Sequence, residues 1–166
     1  MPTAWKPSSR PHVLMREARL DSSEATQRLG EALATGAKPG RVLFISGDLG
    51  AGKTTLVRGL LRGLGHRGRA KSPTYALVEP YAFPSLDLYH FDFYRFKNRS
   101  EWLNSGFREH FNPHSLCVVE WPEKAGDLLA PPDVHIKLDF DGEARRARME
   151  AHSPAGQDWL SSLPFR

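Results

Sequence analysis

Cysteine is almost absent. Cys117 is the one thiol in 166 residues, so neither an internal disulfide nor a cysteine-based zinc site can form. No apolar run approaches the roughly 18 residues that a membrane helix needs, which excludes a helical membrane-spanning protein. The opening segment Met1-Pro2-Thr3-Ala4-Trp5-Lys6-Pro7 has no apolar core of the secretory kind, so a cytoplasmic protein with no membrane contact is expected. Internal repeats and low-complexity stretches are missing as well. What remains is an ordinary globular balance, 40% hydrophobic against 25% charged, over the length of one compact domain. Residues 1–12, with three prolines and no periodicity, read as a mobile tail. The domain itself is expected over 13–151, followed by a C-terminal tail, 152–166, that can hold a short helix.

Charge is uneven along the chain. Residues 1–80 carry 13 basic and 6 acidic side chains, and residues 81–166 carry 10 and 13. A basic first half suits an anionic ligand, although a modest excess is also what a solvated face looks like.

Hydrophobic periodicity outlines an α/β domain with about seven strands. A short strand is expected over 13–20. Asp21 and Glu24 form a candidate capping pair for a helix whose apolar face is Ala25, Leu29, Ala32 and Leu33. The continuous apolar run from Arg41 to Ser46 reads as a strand buried on both faces. Leu56, Val57, Leu60, Leu61 and Leu64 then recur at helical spacing despite Gly59 and Gly63, and Gly65 marks a stop. Further strands are expected over 75–81, 86–94 and 116–119, with a reversal at Phe83-Pro84-Ser85 and a short helix from Ser100 to Gly106. Val134, Ile136 and Leu138 alternate with polar residues, and Asp141-Gly142 signals a hairpin into a strand over about 144–151.

The sharpest motif is Gly47-Asp48-Leu49-Gly50-Ala51-Gly52-Lys53-Thr54, a full match to G-x-x-x-x-G-K-[ST]. Its glycines let backbone N–H groups turn inward around phosphate oxygens, and the following helix adds the positive end of its dipole. Lys53 can reach the β- and γ-phosphates, the Thr54 hydroxyl can ligate Mg2+, and Thr55 would sit near the α-phosphate. A buried strand precedes the loop and an apolar-striped helix follows it, as a phosphate loop requires. A nucleoside triphosphate such as ATP is the expected ligand, held by residues 48–55.

Three further segments carry candidate chemistry. Glu120 ends the apolar run Leu116 to Val119, where a parallel strand would deliver a second Mg2+ contact beside the loop. Trp121 follows it and either packs or contacts nucleotide or a partner. In His90-Phe91-Asp92-Phe93-Tyr94-Arg95, strand alternation puts His90, Asp92 and Tyr94 on one face. Asp92 could orient the attacking water, reach Mg2+ through a water, or form a structural ion pair with Arg95 or another base. Ser72-Pro73-Thr74-Tyr75 could be a γ-phosphate-sensing switch with the Thr74 hydroxyl as its contact, or simply a turn into a strand.

In this order and spacing, 47–55, Ser-Pro-Thr-Tyr at 72–75, His-x-Asp-x-Tyr-Arg at 90–95 and Val-Val-Glu-Trp-Pro-Glu at 118–123 together resemble the TsaE family over residues 13 to 150. Phe93 replaces a leucine usual in that family, and the basic stretch 66–70 is not part of its pattern. The resemblance implies a P-loop NTPase-like fold and an ATPase that supports threonylcarbamoyladenosine formation at adenosine 37 of tRNA. By the same resemblance the protein acts with TsaB and TsaD, and meets tRNA through that complex. Thr54 and Glu120 then become the metal contacts, Lys53 a phosphate clamp, and Asp92 the residue needed for hydrolysis. Rival readings are a small-molecule P-loop kinase, which normally needs an arginine-bearing lid, and a tRNA-binding accessory module, which leaves the phosphate loop unexplained. A GTPase lacks its Asn-Lys-x-Asp guanine reader here.

Overall fold

A computed structural model describes residues 14–71, 73 and 75–165. The expected tail 1–12, and Ser72 and Thr74 of the switch-like segment, lie outside the described residues. Seven strands form one mixed sheet in the order β1-β7-β6-β2-β5-β4-β3. These are β1 Met15–Leu20, β2 Val42–Ser46, β3 Val78–Ala82, β4 Asp87–Asp92, β5 Ser115–Glu120, β6 Val134–Asp141 and β7 Ala144–Ala151. The helices are α1 Ser23–Leu33, α2 Lys53–Gly63, α3 Arg99–Ser105 and α4 Pro154–Ser161. The fold class is therefore the α/β, seven-stranded arrangement expected.

Strands β4, β5, β2 and β6 run parallel; β3 and β7 pair antiparallel with the two edges of that group, and β1 pairs antiparallel with β7. Leu43 and Ile45 of β2 face the same cluster as Leu29 and Leu33 of α1 and Leu56 and Leu60 of α2. The opposite side of β2, β5 and β4 packs Phe44, Cys117, Val119 and Phe91 against Phe93, Trp102 and Phe107. β2 is covered on both faces, which explains its unbroken apolar run.

The glycines of α2 have a packing reason. A Cβ on Gly59 would lie 2.1 Å from the Gln27 carbonyl oxygen, and one on Gly30 would lie 2.2 Å from that of Leu56. The two helices thus cross at backbone contact. Each glycine costs about 1 kcal/mol of helix propensity. Close approach lets Leu29, Leu33, Leu56 and Leu60 bury fully, at roughly 1.5–3 kcal/mol each.

Local details differ from the sequence expectation in three places, the first being that β4 ends at Asp92, so Tyr94 lies past the strand. Ser22, not Asp21, caps α1, its hydroxyl accepting from the Ala25 N–H at 3.1 Å. Both residue types cap well, and the choice is set by which one leaves the strand in extended geometry. β3 begins at Val78 and not at Tyr75, because Leu77 adopts a left-handed φ of 67° and its N–H turns back to the Pro73 carbonyl at 2.7 Å. Within 152–166 the helix lies over Pro154–Ser161, and Trp159 is fully buried with its indole N–H on the Leu33 carbonyl at 2.8 Å.

Candidate nucleotide and metal site

The site sits at the C-terminal ends of three parallel strands. Ile45 pairs in register with Glu120, and Glu120 pairs with Asp92, so the phosphate loop, the β5 acid and the β4 acid stand side by side. Ligands of open α/β sheets bind at such strand ends. The loop between β2 and α2 takes left-handed geometry at Gly50 (φ 82°) and Gly52 (φ 104°), where a side chain would be strained.

Lys53 opens α2 and folds back over the loop, its ammonium donating to the Gly47 carbonyl and to that of Asp48 at 3.0 Å. The same ammonium stands 4.2 Å from the centre of the Trp121 ring. Burial lowers the Lys53 pKa from its ordinary value, and the carboxylates of Glu120 and Asp92 oppose that shift. Trp121 holds its ring there from a left-handed backbone (φ 58°), an unusual conformation for a bulky residue.

The Thr54 hydroxyl lies 3.2 and 3.3 Å from the two carboxylate oxygens of Glu120, and donates to them. Glu120 is 2% exposed, which would be costly for an isolated carboxylate. Its compensation is His90, equally buried, whose Nε2 hydrogen-bonds Oε2 at 2.5 Å. His90 was visible only as a neighbour of Asp92 on an alternating strand. Its partnership with Glu120 depends on the register of β4 against β5, which local sequence does not encode.

Asp92 is also buried, and Oδ1 accepts the Tyr94 N–H at 3.0 Å. Burial raises its pKa above the usual carboxylate value, an effect the Tyr94 hydrogen bond partly offsets and the Glu120 charge reinforces. Arg95 is not its ion-pair partner. The guanidinium instead stacks on the Tyr75 ring at 4.9 Å, and among the described residues no ion pair forms at Asp92. The Asp92 N–H donates to the Leu77 carbonyl at 3.0 Å, tying the end of β4 to the chain just after the switch-like segment.

A cavity of roughly 450 Å³ joins these groups. Leu49, Gly50, Gly52, Lys53, Thr54, Thr55, Asp92, Glu120 and Trp121 all line it, together with Tyr94 and Arg95. Asp48 and Ala51 do not: the Ala51 N–H is used within the loop, on the Asp48 carbonyl at 3.0 Å, and the Ala51 side chain is buried. Thr74 lies outside the described residues.

A family model described as the threonylcarbamoyl adenosine biosynthesis protein TsaE matches residues 20–149. The chain belongs to the TsaE family. The TsaE protein of Haemophilus influenzae is 42% identical over 122 residues, covering 74% of this chain and 77% of the relative. That of Bacillus subtilis is 38% identical over 128 residues, covering 77% and 80%. A crystal structure described as Bacillus subtilis YdiB superposes with a TM-score of 0.75 at 29% identity, over 92% of this chain and 95% of that one. The TsaE match contains all four segments that carried the resemblance, and membership assigns the chain to threonylcarbamoyladenosine biosynthesis on tRNA. Among the described residues no helix is long and apolar enough to cross a membrane.

Proposed function

We propose that this TsaE-family protein is a Mg2+-dependent ATPase of the cytoplasm that works with TsaB and TsaD homologues. The observation that carries the reading is the Thr54–Glu120 contact at 3.2 and 3.3 Å, beside the Lys53 ammonium in one cavity. A hydroxyl and a carboxylate that already converge are hard oxygen donors of the kind Mg2+ takes, so these residues fit the ion and would hold it. Bound there, Mg2+ would supply positive charge to offset that of the phosphates.

The chain's own groups supply the rest. Lys53 gives up its loop carbonyls for phosphate oxygens, an exchange that favours a dianionic ligand over a neutral amide. Backbone N–H groups of the glycine-rich turn and the start of α2 receive the phosphates. His90 fixes the Glu120 carboxylate in orientation from behind. Asp92, held by the Tyr94 N–H, orients the water that attacks the γ-phosphorus. Trp121 walls the site over the ammonium. Its position on the cavity supports nucleotide contact.

Asp92→Asn tests this reading. Measured with TsaB and TsaD present, ATP affinity should stay near wild type while hydrolysis falls at least about a hundredfold. Unchanged hydrolysis would remove Asp92 from the chemistry.

A further inference from the structure

The face of the sheet opposite α1 and α2 is not uniform. Across β4 and β5 it is aromatic, but on β6 and β7 it presents His135, Lys137, Arg148 and Glu150, none of them fully buried. Three of the side chains there converge. One ligand atom from each of His135, Glu150 and His152 lies within 4.8 Å of the other two. The Nε2 of His152 is 3.5 Å from Oε1 of Glu150, and His135 stands opposite Glu150 across the β6–β7 ladder.

We propose that His135, Glu150 and His152 form a binding site for a divalent transition-metal ion, with Zn2+ as its natural probe, on the sheet face away from the nucleotide site. Two imidazoles and one carboxylate are a donor set suited to zinc and its neighbours and poorly suited to Mg2+. The supporting contacts are of the right kind. Nε2 of His135 is 2.7 Å from the Ser46 hydroxyl, which leaves Nδ1 for the metal and fixes the ring, and Ser46 is itself 3.4 Å from Glu123. The Phe44 ring meets that imidazole edge-on at 5.9 Å, limiting its rotation further. Burial, helped by the Lys137 charge, pushes the His135 pKa down to about 4, so a neutral imidazole lone pair is available at ordinary pH.

Tetrahedral zinc with bonds of about 2.1 Å needs its donors roughly 3.4 Å apart, so the trio must close slightly. His152, 40% exposed, has the freedom to do so. The competitor is Lys137, whose ammonium lies 3.4 Å from the same Glu150 oxygen and must swing out, as a 40%-exposed lysine can. Ser46 immediately precedes the phosphate loop, so a metal here would brace the strand from which that loop springs.

The test is competition of zinc chloride between the full chain and a chromophoric chelator, without nucleotide or Mg2+. Wild type should take up one Zn2+ per chain. His152→Ala, a change at the exposed member, and Glu150→Gln should each weaken uptake at least about tenfold. Lys137→Met should strengthen it, and Thr54→Ala should leave it unchanged. Failure of wild type to bind, equal binding by His152→Ala, or loss of binding in Thr54→Ala would overturn the proposal.

Discussion

Glu120 and Glu150 are carried by the same sheet, on opposite faces, and their company differs. Glu120, at the end of β5, is buried with a threonine hydroxyl in front and a histidine behind. Glu150, on β7, faces two imidazoles and a lysine, with 18% of its side chain exposed. Burial alone would raise the Glu150 pKa, yet the Lys137 ammonium and His152 bring it below the ordinary carboxylate value. A carboxylate by itself says little about which cation it serves. In the two proposed sites the neighbouring groups would decide: the Thr54 hydroxyl beside the glycine-rich loop for Glu120, and two imidazoles for Glu150.

The largest effect should come from Lys53→Ala. Removing the ammonium from the cavity should lower partner-supported ATP turnover by about a hundred- to a thousandfold, and leave zinc uptake at the Glu150 face intact. Phosphate release and chelator competition on the same preparation check both halves. Parallel losses would mean that the two faces are not independent.

Glu120→Gln and Glu150→Gln sharpen the contrast directly. The first should raise the Mg2+ concentration needed for half-maximal nucleotide binding by roughly tenfold, since it removes an anionic oxygen from a hard cation. The second should leave that Mg2+ titration where it is in wild type. Equal shifts in both variants would dissolve the distinction.

Gly59→Ala probes the packing that holds the Glu120 face. The new methyl meets a backbone carbonyl in α1, which cannot yield as a side chain would, so a loss of about 1–3 kcal/mol is expected in denaturant unfolding.

Asp92→Asn gives the smallest and most discriminating stability effect. The folded state raises the Asp92 pKa, so above the ordinary carboxylate value the folded protein binds the proton more tightly than the unfolded chain. Stability from this group is therefore lost as pH rises through the raised value. The neutral amide should melt at or slightly above the wild-type Tm at pH 7. A clear drop in Tm would indicate a structural ion-pair role.

These contrasts also show what the sequence carried. The phosphate loop, β2 and α2 were legible because glycine spacing, strand length and apolar periodicity are local properties. Glu120 was legible from its place after an apolar run. At Asp92 the ion pair with Arg95, one of the alternatives open from the sequence, does not form, since that guanidinium stacks on Tyr75, a contact that adjacent residues do not announce. His90 and the His135–Glu150–His152 group both depend on inter-strand register, and the latter joins residues from two strands of a hairpin and the turn beyond. The early start expected for β3 overlooked a left-handed Leu77, which no residue preference announces.

The decisive measurement of the proposed ATPase is phosphate release from ATP by the purified protein, alone and with TsaB and TsaD, with and without Mg2+ and with no added phosphoryl acceptor. The expected result is conversion of ATP to ADP and inorganic phosphate that requires Mg2+, rises when the partners are present, and disappears in Lys53→Ala. No Mg2+-dependent turnover under any of these conditions, or turnover indifferent to Lys53, would contradict it.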